Sequence, residues 1–321
     1  MSASYAVEKI SPRTKELLMQ KLYSPALFER KASIHGTCVK LFTDSHEFKD
    51  MWEDNFEQMP DWIRPHARLF SVSRSVSRGK RMRVRYEPQS KTVIVEGCDY
   101  YGWIKSIALA LVAEFLEDFT SEHRRYSVHG SFIDANGRGM AIIGPSGSGK
   151  TTLTYGLLLD KRCNFITDDW FFVRQADSSV LVYSSEKNSY IRGNLGADWP
   201  EYRERLKGLR KDSRERAVVD VRQLLGSGRI RSDSTLAITI LLTRDKKLPP
   251  LQRLTTKEAL AFMVKNDFCN PHQLMRTKAK LAKRKAFFSQ FFSEAPVYLL
   301  NTIEKPQQSL KRLKKLLSQE V

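Results

Sequence analysis

One short motif constrains strongly what this chain can fold into. Residues 144–151 read Gly-Pro-Ser-Gly-Ser-Gly-Lys-Thr and match the pattern Gly-x-x-x-x-Gly-Lys-[Ser/Thr] in full. Glycines in this pattern let backbone N–H groups converge on phosphate oxygens, the lysine neutralises phosphate charge, and the final hydroxyl coordinates Mg²⁺. A chance match in a chain of this length is expected in about one case in a hundred. We therefore predict nucleotide contacts from Gly144, Ser146, Gly147, Ser148, Gly149, Lys150, Thr151 and Thr152.

The segments around the motif predict a mixed α/β fold. Apolar residues 139–143 predict a strand that enters the loop, and residues 151–159 predict a helix that leaves it. That order of strand, loop and helix is the context the motif requires. Further strands are predicted at 126–133, 164–167, 180–183 and 236–242, and further helices at 257–264, 277–292 and 310–317.

A change of pattern near residues 122–125 predicts two parts of the chain. Residues 1–122 form a smaller N-terminal α/β region, and residues 123–321 form the P-loop catalytic domain with basic C-terminal helices. In the first part, Ser11 before Pro12 predicts a capped helix start, and residues 100–119 predict an amphipathic helix. Strands are predicted at 37–43, 68–72, 82–86 and 92–96, the last two as a hairpin. This region carries no recognisable motif, so it is the candidate for selecting the acceptor.

An acidic pair follows the predicted loop helix. Asp168 and Asp169 come directly after the short strand at 164–167, where one carboxylate is able to hold a metal and the other to accept a proton from a hydroxyl. His129 lies on the strand predicted to pair with the one that feeds the loop. We expect it to orient the acidic base or to touch the terminal phosphate, although an isolated histidine is more often a packed core residue.

Composition and charge limit the setting of the protein. The 54 Lys and Arg residues exceed the 36 Asp and Glu residues by 18, which favours phosphate-rich partners and leaves nucleic acid open as one of them. Four cysteines without a Cys-x-x-Cys pair predict free thiols in a cytoplasmic protein. The most apolar helical stretch, at 103–119, carries four charged residues, so no membrane span is expected.

Four features together resemble the catalytic domain of HPr kinase/phosphorylase. They are His129-Gly130, the loop at 144–151, the pair Asp168-Asp169, and the stretch Ala-Val-Val-Asp-Val-Arg-Gln-Leu-Leu-Gly at 217–226. The resemblance covers roughly residues 126–245, and the loop is also similar to that of ATP-type phosphoenolpyruvate carboxykinases, which share the fold. It implies a Mg²⁺-dependent kinase that uses ATP, or another nucleoside phosphate, and transfers phosphate to a hydroxyl, with a serine of a protein or peptide favoured and a small molecule as the alternative. Homo-oligomers are common in such proteins.

The resemblance also implies residue roles. Asp168 would be the base, supported by His129, and Lys150 would bind the phosphates. The metal would be served by Thr151, Asp169 and Glu186. Three arginines are candidates to close on the transferring group, namely Arg192, Arg214 and Arg222. The chain departs from the pattern at Pro145, where an acidic residue is usual, and it lacks a clear proline-glycine-arginine loop downstream, so reversal by phosphate is not expected.

Two other functions remain open at the level of sequence. A nucleic-acid kinase would use the basic segment at 276–285 and the aromatic residues Phe287, Phe288, Phe291 and Phe292 as a groove. Aromatic residues at this helical spacing more often pack in a core, and we prefer that interpretation. A nucleotide-binding switch would bind ATP without transferring phosphate, but such a module needs neither Asp168 nor His129. A carboxykinase is least favoured, because the chain is short for one.

Overall fold

The computed structural model describes residues 5–23, 27–73, 82–119, 125–176 and 179–320, which form a mixed α/β protein as predicted. The helices are α1 (Pro12–Leu22), α2 (His46–Asn55), α3 (Tyr101–Asp118), α4 (Lys150–Leu157), α5 (Leu195–Asp198), α6 (Val221–Leu225), α7 (Thr256–Lys265), α8 (Lys278–Ser293) and α9 (Pro306–Glu320). The strands are β1 (Val7–Lys9), β2 (Phe28–Ile34), β3 (Thr37–Thr43), β4 (Glu57–Gln58), β5 (Ala67–Val72), β6 (Arg83–Glu87), β7 (Thr92–Glu96), β8 (Arg125–Ala135), β9 (Arg138–Ile143), β10 (Cys163–Thr167), β11 (Trp170–Ala176), β12 (Ser179–Tyr183), β13 (Asn188–Arg192), β14 (Arg216–Asp220), β15 (Asp233–Thr243), β16 (Leu251–Leu254) and β17 (Val297–Asn301).

The first sheet is built from residues 7–96. Its seven strands lie in the order β1-β6-β7-β5-β3-β2-β4, and β6 and β7 form the predicted antiparallel hairpin. Ser11 caps α1 by accepting a hydrogen bond from the backbone N–H of Thr14, as the Ser-Pro signal predicts. The predicted boundary at 122–123 lies outside the described residues and stays a prediction.

The helix predicted at 100–119 is present as α3, but it is buried, and the prediction that it is amphipathic is wrong. Its residues from Ile104 to Ala113 are all buried, and the polar side chains of Lys105, Glu114 and Glu117 are buried as well. The cause is that α3 packs against strands of the first sheet and also against β8 of the second. A helix covered on most of its circumference has no solvent face for polar residues, so its buried charges need partners.

The second sheet carries the predicted loop. The order of its strands is β10-β8-β11-β12-β15-β17-β16. Strand β9 pairs with both β8 and β15. Strands β8 and β15 are therefore connected through β9 on one side and through β11 and β12 on the other. Strands β9, β15 and β17 are parallel. The carboxyl ends of parallel strands meet at one edge of a sheet, which is where ligands bind in such folds. The segments after Ile143, Thr243 and Asn301 therefore come together.

The basic C-terminal helices contribute apolar side chains to the core. The four aromatic residues of α8, Phe287, Phe288, Phe291 and Phe292, are at most 3% exposed and pack with α7 and the second sheet. This confirms the core interpretation and removes the aromatic groove on which a nucleic-acid kinase would depend. The four cysteines are free and buried. Among the described residues, no helix is long and apolar enough to cross a bilayer.

Candidate active site

The loop at residues 144–149 links the end of β9 to the start of α4. Gly147 and Gly149 have φ angles of 80° and 101°, a left-handed region that glycine adopts without strain. At Gly144, an added Cβ would lie 2.6 Å from the Oγ of Ser148 and 2.8 Å from the Cβ of Leu242. These three glycines are therefore required by backbone geometry and by close packing. The N-terminal N–H groups of α4 are not used within the helix and point toward the loop, as in phosphate-binding loops.

Lys150 is buried under this loop. Its Nζ donates a hydrogen bond of 2.7 Å to the carbonyl oxygen of Gly144, and burial lowers its pKa below the usual range. The Oγ of Ser148 is buried and has no hydrogen-bond partner among the described residues. A buried ammonium group without a carboxylate partner and a free hydroxyl in the same loop form a site suited to an anion.

Residues after the neighbouring strands support the loop. The Oγ1 of Thr302, just after β17, donates to the carbonyl oxygen of Ser148 at 2.7 Å. The Nε of Arg244, just after β15, donates to the same Thr302 hydroxyl oxygen at 3.3 Å. Arg244 thereby reaches the cavity beside the loop. The parallel arrangement of β9, β15 and β17 thus brings a second cation close to the phosphate-binding position.

Asp168 and Asp169 lie between β10 and β11, two strands that both pair with β8. The pairing register shifts between Phe165 and Thr167, which marks a bulge, and the N–H of Gly130 donates to the carbonyl oxygen of Asp169. Bulges often turn side chains toward active sites. Asp168 is only 6% exposed, yet its carboxylate reaches the same cavity as the loop.

The two carboxylates of the pair have opposite electrostatic environments. Burial, followed by the charges of Glu186 and Asp169, raises the pKa of Asp168 to about 7. Burial also opposes the charge of Asp169, but the ammonium of Lys105 and the imidazole of His129 outweigh it and hold the pKa of Asp169 well below its usual range. Two neighbouring acids with separated pKa values are suited to different roles.

His129 lies against Asp169, the second member of the pair. Its Nδ1 donates to the carbonyl oxygen of Cys269 at 2.5 Å, because a carbonyl oxygen can only accept. Its Nε2 then faces the Oδ1 of Asp169 at 3.3 Å, and it donates to that oxygen when both ring nitrogens carry a proton. The family resemblance implied that His129 supports Asp168. In the structure, His129 contacts Asp169 instead.

The cavity beside the loop has a volume of about 370 Å³. It is lined by His129, Ser146, Gly147, Gly149, Lys150, Thr151, Thr152, Asp168, Asp169, Tyr190, Ile191, Arg192, Asn194, Leu195, Arg216 and Arg244. Of the three arginines proposed from sequence, only Arg192 is in this set. Arg192 lies directly opposite Arg216 in the β13–β14 ladder. Like charges in opposite positions repel each other, so a bound anion would stabilise this arrangement.

Arg216 is held in place by its neighbours. Its Nε donates to Asp212 at 2.8 Å, and its guanidinium lies 5.1 Å from the ring centres of both Tyr100 and Tyr190. Its Nη2 is buried and has no hydrogen-bond partner within the described part of the chain. An arginine fixed on two sides with a free donor is preorganised to bind an oxyanion.

Three sequence-based candidates lie elsewhere. The carboxylate of Glu186 accepts hydrogen bonds from Lys105 and Asn55 and does not line the cavity, so the prediction that it serves a metal is not supported by its position. Arg214 stacks on Tyr100, 4.2 Å from the ring centre. Arg222 pairs with Glu57 at 3.6 Å. Each of these three side chains contacts another protein group, and none of them lines the cavity.

Sequence reasoning missed several groups of the site. Lys105 comes from α3, and Arg216 and Arg244 come from separate segments of the second half of the chain. The stretch at 217–226 overlaps β14, but it gave no sign that Arg216, directly before it, lies opposite Arg192 of β13. A lysine in the middle of an apolar helix was a signal, because a buried charge requires a partner, but the sequence does not name that partner.

The donor set fits a magnesium ion. Mg²⁺ is usually held by one or two carboxylates together with phosphate oxygens of the substrate. Thr151, Asp168 and Asp169 line the cavity with the loop and offer one hydroxyl and two carboxylates of this kind. Within the described ranges, no three His, Cys, Asp or Glu side chains form a metal cage.

The strand, the glycine-rich loop, the helix and the acidic pair have the geometry of a phosphate-binding loop beside two carboxylates. No family model matches the chain. Among curated proteins, the sequence is 27% identical over 147 residues to the HPr kinase/phosphorylase of Chlorobium limicola, covering 46% of this chain and 38% of the relative. It is 28% identical over 158 residues to that of Latilactobacillus sakei, covering 48% and 44%. The protein of Lacticaseibacillus casei is 29% identical over 133 residues, covering 41% and 35%.

The chain is therefore a diverged relative of the HPr kinase/phosphorylases. It spans less than half the length of the curated relatives given above. Among solved structures, the HPr(Ser) kinase/phosphatase from Coxiella burnetii is 17% identical, with a TM-score of 0.34, and the match covers 60% of this chain and 98% of that one.

Proposed function

We propose that this protein is an ATP- and Mg²⁺-dependent kinase that transfers the γ-phosphate to a hydroxyl group. The observation that carries the proposal is the placement of Asp168, whose pKa is raised to about 7 by burial, in the same cavity as the loop at 144–149 and Lys150. A general base works best when its pKa is close to the ambient pH. A module that only binds nucleotide has no use for such a group.

The residues of the chain have separate tasks in the proposed transfer. The loop N–H groups and Lys150 bind the β- and γ-phosphates, and Arg216 and Arg192 face the cavity where charge develops on the transferring group. Asp168 accepts the proton of the acceptor hydroxyl as the new oxygen–phosphorus bond forms and the bond between the β- and γ-phosphates breaks. Magnesium, held by Thr151 and Asp169, would neutralise phosphate charge. Asp169 stays ionised because Lys105 and His129 stabilise its charge.

A serine hydroxyl of a protein or peptide is the acceptor class that we favour, with a small-molecule hydroxyl as the alternative within the same reaction. The names of the relatives support this choice, since they describe enzymes that phosphorylate HPr, and the solved relative is named for its action on a serine. We place the reaction in the cytoplasm, in agreement with four free cysteines.

The test is a transfer assay with γ-labelled ATP and Mg²⁺. The purified protein is incubated with separate pools of free serine, serine peptides, cell proteins and RNA, each in parallel with the Asp168→Asn variant. We expect label in one of the hydroxyl pools other than RNA and its loss in the variant. Nucleotide binding without label in any pool would refute the kinase and favour a nucleotide-binding switch. Label in RNA alone would identify a nucleic-acid kinase.

A further inference from the structure

Helix α3 of the N-terminal part sends one charged side chain into the candidate active site. The Lys105 side chain is only 5% exposed, and its Nζ lies 2.6 Å from the Oδ2 of Asp169 and 2.9 Å from the Oε2 of Glu186. The same ammonium group lies 5.0 Å from the ring centre of Tyr190, which lines the cavity. Lys105 therefore joins three groups that come from the other part of the chain.

The carboxylate of Asp169 is held from two sides. Its Oδ2 accepts from Lys105, and its Oδ1 faces the Nε2 of His129 at 3.3 Å. His129 is itself fixed by its hydrogen bond to the carbonyl oxygen of Cys269. One contact would leave the carboxylate free to rotate about its Cβ–Cγ bond, whereas two contacts on different oxygens define its plane. The orientation of Asp169 toward the loop thus depends on Lys105.

Stability alone is a weak explanation for this lysine. A buried ion pair often contributes no more than apolar residues of similar volume, because removing both charges from water is unfavourable. The surroundings of Lys105 on α3 are apolar, with Ile104, Ile107 and Ala108 fully buried. The position of its partner at the wall of the cavity offers a second explanation, because functional carboxylates need supporting contacts to keep their geometry.

We propose that Lys105 is a positioning residue that holds Asp169 in the orientation required for phosphoryl transfer, so that α3 forms part of the active site. The inference rests on the kinase function proposed above. It assigns the N-terminal part a task in catalysis in addition to any selection of the acceptor. Lys105 acts through Asp169 and touches neither the nucleotide nor the acceptor.

The first experiment compares Lys105→Met with a matched control that also removes a buried ion pair of α3. Lys280→Met removes another buried lysine, which pairs with Glu114 of α3 at 2.9 Å. Glu114 lies nine positions along α3 from Lys105, or about 13 Å at 1.5 Å per residue. Both variants remove a buried ion pair with α3, but only one of the two pairs contacts the cavity.

We expect Lys105→Met to lower kcat by about 10²-fold, the effect of misplacing a reacting group by about 1 Å. The KM for ATP should change by less than about threefold, since the loop is intact. Lys280→Met should keep kcat within about threefold, measured at a temperature where each variant is folded. Lys105→Arg, which keeps the charge, should restore part of kcat. Equal losses of kcat in both Met variants, or a normal kcat in Lys105→Met, would overturn the proposal.

A structural readout separates this inference from the kinase proposal. The crystal structure of Lys105→Met should show the Asp169 carboxylate rotated out of its contact with His129, and an unchanged carboxylate would reject the positioning role even if no acceptor is ever labelled. Should Lys105→Met fail to fold because two buried carboxylates lose their cation, the double variant Lys105→Met/Glu186→Gln removes one charge of each sign. In this double variant too, a rotated Asp169 carboxylate would support the positioning role of Lys105, and an unchanged carboxylate would reject it.

Discussion

Asp168 is predicted to destabilise the folded protein at neutral pH, and replacing it by asparagine should make the protein more stable. Its pKa of about 7 in the folded chain lies about three units above the usual value for aspartate, which is about 3.9. Between these two values the folded state binds one proton more than the unfolded state. The contribution of Asp168 to the free energy of unfolding therefore falls as pH rises from about 4 to about 7, by about 1.4 kcal/mol per unit and about 4 kcal/mol in total.

Asparagine does not ionise, so Asp168→Asn should lack this pH dependence. We expect the stability difference between variant and wild type to be close to zero near pH 4 and to favour the variant by about 4 kcal/mol above pH 7. The assay is denaturant unfolding of both proteins at several pH values, without nucleotide or metal. A stability difference that does not grow between pH 4 and pH 7 would show that Asp168 ionises as an ordinary surface aspartate.

Asp169→Asn is the matched control, since it changes the adjacent residue in the same way. The pKa of Asp169 is held below its usual range by Lys105 and His129 against the effect of burial. Its contribution to stability is therefore present above about pH 4 and is lost as pH falls through the folded-state pKa. We expect this variant to be less stable than wild type at pH 7, the opposite sign to Asp168→Asn. A gain in stability in both variants would mean that the two environments are not distinct.

Three further predictions test the loop and the arginine. Lys150→Met should weaken ATP binding about 10- to 100-fold in calorimetry, the value of one or two charge-assisted hydrogen bonds, and unchanged binding would exclude the loop as the nucleotide site. Arg216→Lys should lower kcat of the folded protein about 10- to 100-fold, because a lysine cannot pair with Asp212 and present a second donor to the cavity at the same time. A normal kcat would remove Arg216 from the site. Gly149→Ala should lower the free energy of unfolding by about 1–2 kcal/mol, because the φ angle of Gly149 is 101°. Gly193→Ala should leave it unchanged, because the added carbon meets no atom within 4 Å. Equal effects of the two substitutions would exclude backbone strain at Gly149.

The local parts of the site were predictable from sequence. The loop motif, the strand before it and the helix after it are fixed by short-range rules, and the predicted segments at 139–143 and 151–159 agree with β9 and α4 to within two residues. The acidic pair was predictable because it ends a short strand after that helix. These features share one property: every residue that defines them lies within a few positions of the others.

Long-range contacts could not be predicted in the same way. Lys105 is 64 positions from Asp169, and no spacing rule connects a lysine on a helix with a carboxylate on a different sheet. Arg216 was passed over for Arg214 and Arg222 because all three lie in a basic segment, and only the ladder of β13 and β14 directs one of them to the cavity. The prediction for α3 was wrong for a related reason, since packing against two sheets buries positions that a single-sided helix would expose.

Charged contacts on α3 explain how the two sheets keep a fixed relation. One hydrophobic core cluster contains residues of both parts of the chain. It includes Leu69 of the first sheet, Ile104 of α3 and Trp170 of the second sheet. Apolar contacts of this kind vary smoothly when a helix slides, whereas buried ion pairs lose their partners within a fraction of a helical turn.

Helix α3 has such pairs at two places. Lys105 contacts Asp169 near its beginning, and Glu114 contacts Lys280 near its end. A shift of α3 by one residue, about 1.5 Å, would lengthen both contacts and weaken the stabilisation of these charges. The pair near the end of α3 contributes to the packing of the helix, whereas the pair near its beginning holds a carboxylate at the wall of the cavity. The geometry of the candidate active site then depends on contacts 64 and 140 positions apart in sequence, Lys105 with Asp169 and His129 with Cys269, as well as on the loop motif that identifies it.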